Sequence, residues 1–191
     1  PRGGKIMRAV EEFTASQRIE WQDYLVRKEA EAKIGSQLAI SDLFYLNSSG
    51  NDNDYLLDKT NNAPYGMALH EAYRYYMGLS AYSGLADGNH DSAAVDGSGN
   101  YISPVAAGDC GNSYVVLIGN GSPDSGENTS AELALARAGG DTSIIDLDNN
   151  KYESSWADEW SRYLANIDTD TTQDGNQNVE TFVIDVYNPD A

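Results

Sequence analysis

The sequence predicts a doubly wound α/β domain, with a mainly parallel sheet and helices on both faces. Three observations predict it. Apolar runs of strand length alternate along the chain with segments of helical periodicity. Residues 113–119 (SYVVLIG) are an unbroken, largely β-branched run between turn residues, which is the pattern of a strand buried on both faces. The length of 191 residues suits one domain spanning 1–191, and the 40% apolar residues are clustered enough to build its core.

In chain order, residues 4–33 read as helix: Ile6, Met7, Val10 and Phe13 recur on one face, no Pro or Gly interrupts from Lys5 to Ile34, and Gly35 is a plausible stop. Residues 36–46 (SQLAISDLFYL) read as a strand or strand pair, and 47–62 as a polar loop. Pro64 opens a second helix near 64–78, with Met67, Ala68, Ala72, Tyr75 and Tyr76 as its buried stripe and Gly78 at its end. Residues 79–112, dense in Gly, Ser, Asp and Asn, read as a long loop insertion. After the 113–119 strand come a Gly-rich loop, a short helix near 129–138 and a short strand at 142–147. A helix at 156–167 presents Trp156, Trp160, Tyr163 and Leu164 on one face, and 179–187 (VETFVIDVY) forms the last strand. In such a sheet ligands sit at the carboxyl ends of the strands, here the loops at 47–65 and 119–128 and the segment after 187.

Twelve Lys and Arg against 30 Asp and Glu leave a net charge of -18. Phosphate backbones and anionic membrane surfaces are therefore poor partners. Residues 1–33 carry seven basic and six acidic residues, net +1, whereas 34–191 carry five and 24, net -19. No run of 18 apolar residues is present to insert into a membrane. The chain begins at Pro1 without a Met and reads as a processed or excerpted segment. The single Cys110 excludes a cysteine metal cluster and an internal disulfide framework, leaving a buried thiol or a pairing with a cysteine elsewhere.

Hard oxygen donors recur at calcium-loop spacing in two places. Asp87-Gly-Asn89-His-Asp91 has the alternation but no Gly at the sixth position. Asp170-Thr-Thr172-Gln-Asp174-Gly175 has that Gly, but Thr181 stands where the bidentate Glu belongs. Both are candidate calcium loops set against a solvated polar loop. Gly119-Asn-Gly121 lacks a following Lys, and Asp124 and Glu127 would repel a phosphate. His70 reads as a helix-surface histidine, since the position four residues on is Arg74. No G-x-S-x-G or other nucleophile signature is present, and the reading is of a non-enzyme.

Several segments together resemble a known family. Tyr114–Gly121 (YVVLIGNG) with the following Ser-Pro is similar to the YVILLTDGxP strand and loop of von Willebrand factor A domains. Residues 62–76 (NAPYGMALHEAYRYY) resemble their TPLxxALYEAxxYF segment. Residues 158–164 (DEWSRYL), then 175–187 (GNQNVETFVIDVY), and the Cys110-x-x-x-Tyr114 lead into the strand narrow the resemblance to the A-type domain of the PilC/PilY family of type IV pilus tip proteins. The resemblance covers about 34–187. It implies a doubly wound fold, whose usual first strand and D-x-S-x-S metal motif are missing from this chain. It also implies a divalent-cation crevice, with Ca²⁺ or Mg²⁺ as the cofactor. In this sequence that crevice is degenerate: Ala63 falls at the Thr ligand, Gly119 at the Thr of T-D-G and Asn120 at its Asp, leaving Asn120, Ser122 and Asp124 as the oxygen donors. The function implied is an extracellular, bacterial cell-surface adhesion and pilus-biogenesis module acting through its loops. Its partners would be pilus tip or minor pilin subunits, or a host or surface ligand. The alternatives are a small-ligand-binding or hydrolytic α/β enzyme domain using the strand-carboxyl crevice, and a structural filament-associated subunit.

Overall fold

Two seven-residue strands, β1 (Ser113–Gly119) and β2 (Val179–Asp185), run parallel, with Ser113 opposite Val179 and Gly119 opposite Asp185. Parallel neighbours need a crossover rather than a hairpin. Here the intervening chain contains two helices, α2 (Asn128–Ala138) and α3 (Ala157–Asn166). A third, α1 (Tyr65–Tyr76), precedes β1. The computed structural model describes residues 64–82, 92–105, 112–119, 125–144 and 156–185. The expected elements at 4–33 and 36–46 lie outside these residues. The described part is thus a mixed α/β chain with a two-stranded parallel sheet.

One core organises it. Met67, Leu69 and Tyr73 of α1, Ala131 and Leu135 of α2, Trp156, Trp160 and Leu164 at α3, and Val179 of β2 pack together, joined by Val115 and Leu117 of β1. Trp160 is wholly buried, and its indole N–H donates to the Ala131 carbonyl at 3.1 Å, so the ring is both packed and satisfied. Trp156 holds φ 59°, a left-handed conformation that costs a bulky residue on the order of 1 kcal/mol. Burial of its ring in the core over-determines that conformation.

The helix ends obey local rules. At the end of α1, Gly78 (φ 63°) lets Leu79 N–H reach the Arg74 carbonyl and Gly78 N–H reach that of Tyr75. Gly139 (φ 85°) ends α2 with the same pair of bonds to Leu135 and Ala136. A smaller cluster of Tyr75, Ala94 and Tyr101 ties the described part of the 79–112 segment to α1. That part contains a short 3-10 turn, Ser92–Ala94, and two isolated bridges, Ser80 with Asn100 and Val95 with Tyr101.

Four expectations need correction. β1 is not buried on both faces: its exposure alternates, and Val116 is 52% exposed. The described helices share the core with Val115, Leu117 and Val179, while Tyr114, Val116 and Ile118 face away with Phe182 and Ile184 of β2. His70 is not a surface histidine; it is 4% exposed, wedged among Tyr73, Tyr82 and Trp160. Residues 141–144, the described start of the expected 142–147 strand, have no regular structure, because Asp141 turns back to bond Ser143 N–H and hydroxyl. On α1 the buried stripe is Met67, Leu69, His70, Glu71, Tyr73 and Tyr75; Ala68, Ala72 and Tyr76 are only partly buried.

Candidate functional site

The carboxyl ends of β1 and β2 lie at Gly119 and Asp185, and α1 begins beside Gly119. A Cβ on Gly119 would collide with the Tyr65 hydroxyl, so the residue that opens α1 fills the space beside the end of β1. A side chain at position 119, such as the Thr of the resembled T-D-G loop, has no room there while Tyr65 holds this position. The resemblance set Gly119 at the Thr of T-D-G, and Tyr65 occupies the space that a side chain there would take.

The N-terminus of α1 is occupied from within the chain. Pro64 offers it no side-chain cap. Instead Glu127, fully buried and 60 residues distant in sequence, accepts Gly66 N–H at 2.8 Å and Met67 N–H at 2.7 Å, one on each carboxylate oxygen. A carboxylate there satisfies two orphan donors and meets the positive end of the helix dipole. Such a terminus is a ready anion site. With Glu127 seated in it, these donors are not available to a ligand phosphate. Sequence reading saw in Glu127 only a charge that would repel phosphate. No local motif could announce a cap reaching across 60 residues.

The predicted oxygen donors do not converge among the described residues. Asn120, Ser122, Asp124, Asp87, Asn89 and Asp91 lie outside those residues, as do Ala63 and Cys110. Asp170 and Asp174 precede Val179, at the amino end of β2 and therefore at the opposite end of the sheet from the crevice. There Asp170 works as a turn acceptor. Its Oδ1 takes the Thr172 N–H at 3.0 Å and the Thr172 hydroxyl at 2.5 Å, and its Oδ2 takes Gln173 Nε2 at 2.7 Å. These bonds, led by the Thr172 hydroxyl, hold its carboxyl below the usual carboxylate range. Asp168 closes the same loop by accepting the N–H groups of Asp170 and Gln177, and Asn178 ties it to α3 through the Ala165 carbonyl. Asp174 contributes its main-chain carbonyl, to Gln177 Nε2 at 3.2 Å. Among the described residues no group of three His, Cys, Asp or Glu side chains is placed to hold a metal ion.

A further acceptor turn went unread in the sequence. In Asp96-Gly-Ser98-Gly-Asn100, Asp96 Oδ1 accepts the N–H groups of Ser98 and Asn100 at 2.8 and 2.9 Å. Those bonds, Asn100 first, lower its carboxyl pKa. The alternation of oxygen residues that resembles a cation loop here serves the backbone. Deeper in, Glu71 is buried on α1 and accepts the Tyr101 hydroxyl at 2.6 Å and Tyr82 N–H at 3.0 Å. Burial, then this bond to Glu71, pushes the Tyr101 phenol upward. Glu71 thereby pins Tyr82 and Tyr101, from two described stretches of the insertion, to the helix.

Comparison of the chain with protein-family models, with characterised proteins and with solved structures yields no match.

Proposed function

We propose that this chain is a surface-exposed adhesion and pilus-assembly module of the A-type that binds through loops at the carboxyl edge of its sheet rather than by catalysis. The observation that carries the reading is the pairing of β1 with β2. The segments YVVLIG and VETFVID, quoted for the PilC/PilY resemblance from positions about 65 residues apart, are parallel neighbours in one register. The third resembling segment forms α1 and meets the end of β1 through Tyr65. This parallel adjacency of segments that lie apart in the sequence supports the reading. The occupied N-terminus of α1 and the blocked position at Gly119 favour a scaffold whose crevice is degenerate and whose partner contacts fall on the surrounding loops.

The test is cell fractionation with an antibody raised against the purified chain. The reading expects the antigen to co-purify with pili sheared from intact producing cells. Antigen confined to the cytoplasmic fraction would overturn it.

A further inference from the structure

We propose that the groove between α1 and α2 is a binding site for a small carboxylic acid with an apolar body, separate from the strand-carboxyl crevice and independent of the adhesion reading. The groove has a volume of about 230 Å³ and is flanked by Arg74 of α1 and Arg137 of α2. Among the described residues of this strongly acidic chain there are three Lys or Arg side chains, and two of them converge here. Among the described residues no acidic side chain lines the groove. Glu71, the acid nearest to it in α1, is turned to the Tyr101 hydroxyl and Tyr82 N–H.

The two guanidinium groups differ in their commitments. Arg74 spends Nε and one terminal nitrogen on the Ser80 carbonyl and hydroxyl, at 2.5 and 3.0 Å, which fixes its plane at the groove edge. Arg137, in the last turn of α2, is exposed and is the cation available to a ligand. A planar guanidinium fork suits a carboxylate, which it can hold through two parallel hydrogen bonds. The rest of the lining is apolar or aromatic. Leu79, Leu133 and Tyr82 offer a surface for a hydrocarbon or ring, with Tyr82 set edge-on to the His70 imidazole at 5.1 Å. Leu133 and Tyr82 are 50% and 55% exposed, apolar surface that a ligand would remove from water. The volume is below the roughly 300–1,000 Å³ of drug-sized sites, so the occupant is of benzoate size.

Benzoate is the probe, followed by amide chemical shifts of the ¹⁵N-labelled chain. The expected result is saturable shifts at residues 70–82 and 130–138, with a dissociation constant on the order of 1 mM. Arg137→Gln should weaken binding by about tenfold or more while leaving the melting curve unchanged. Leu133→Glu, which places a like charge on an exposed helix position of the groove, should abolish it. Benzamide, of the same shape but uncharged, should bind at least about tenfold more weakly, and inorganic phosphate should not displace benzoate. No saturable shift with benzoate, or equal affinity in Arg137→Gln, overturns the proposal. Phosphate binding as tightly as benzoate would equally overturn it, since the groove would then be a bare cationic patch.

Discussion

Replacing Glu127 is the perturbation whose consequence can be worked out most fully from the structure. The side chain is completely buried, and each carboxylate oxygen accepts one N–H from the first turn of α1. A hydrogen bond to a charged group contributes about 1.5–3 kcal/mol, and a buried donor left unsatisfied costs about 1–3 kcal/mol. The carboxylate also meets the helix dipole, worth up to about 2 kcal/mol in partly buried geometry. These contributions overlap, so Glu127→Ala should lose about 3–5 kcal/mol rather than their sum. Glu127→Gln keeps one acceptor oxygen but points an amide N–H₂ at a backbone donor, and should lose about 2–3 kcal/mol. Against a typical domain stability of about 5–15 kcal/mol, the alanine variant sits near the margin of folding. Urea denaturation followed by tryptophan fluorescence reads this directly, because Trp156 and Trp160 lie in the core that α1 helps to build. A loss below about 0.5 kcal/mol for Glu127→Ala, the range of ordinary surface substitutions, would refute the cap.

Other consequences can be checked with single variants or titrations. Burial, reinforced by Arg74 and opposed by Glu71, lowers the His70 pKa to about 4, so its ring resonances should titrate near pH 4 and not near 6.5. The unfolded chain takes up this proton first, so the stability due to neutral His70 is whole above about pH 6.5 and drains away as pH falls toward 4; a flat stability profile across that window would count against it. Gly119→Ala should cost about 1 kcal/mol or more by driving a methyl into the Tyr65 hydroxyl, and Tyr65→Ala should relieve that cost in a double-mutant cycle with a coupling above about 0.5 kcal/mol. Val116→Asp on the exposed face should stay folded within about 1 kcal/mol, whereas Val179→Asp should lose several kcal/mol; equal losses would restore two-sided burial. Excess Ca²⁺, Mg²⁺ or chelator should leave the melting temperature within about 1 °C, whereas a cation site filled at about 100 times its dissociation constant would add about 2.7 kcal/mol.

What could be read from the sequence followed the range of the forces involved. The strand at 113–119 and the α1, α2 and α3 helices are set by local pattern, with Gly punctuation at 78 after α1 and at 139 after α2, and their positions agree with the sequence to within a residue or two. Which faces those elements bury was less legible. An unbroken VVLI run is compatible with one covered face or two, and only the placement of the helices on the Val115 and Leu117 side distinguishes them. His70 was misread because its burial comes from Tyr82 and Trp160, neither of which helical spacing could bring near it. The site shows the same division. Asp170 and Asp174 were found by spacing, but spacing alone does not say that Thr172 and Gln173 already claim the Asp170 carboxylate. Glu127 and the pairing of Arg74 with Arg137 belong to tertiary structure and leave no local trace.

The central claim, a surface module needed for pilus-dependent attachment, is tested most directly in a producing strain carrying an in-frame deletion of residues 62–187, scored for surface pili and for attachment. The account predicts fewer surface pili or lost attachment, restored by the wild-type segment and by a chain carrying Val116→Asp, but not by one carrying Glu127→Ala if that variant fails to fold. Normal piliation together with normal attachment in the deletion strain would contradict it.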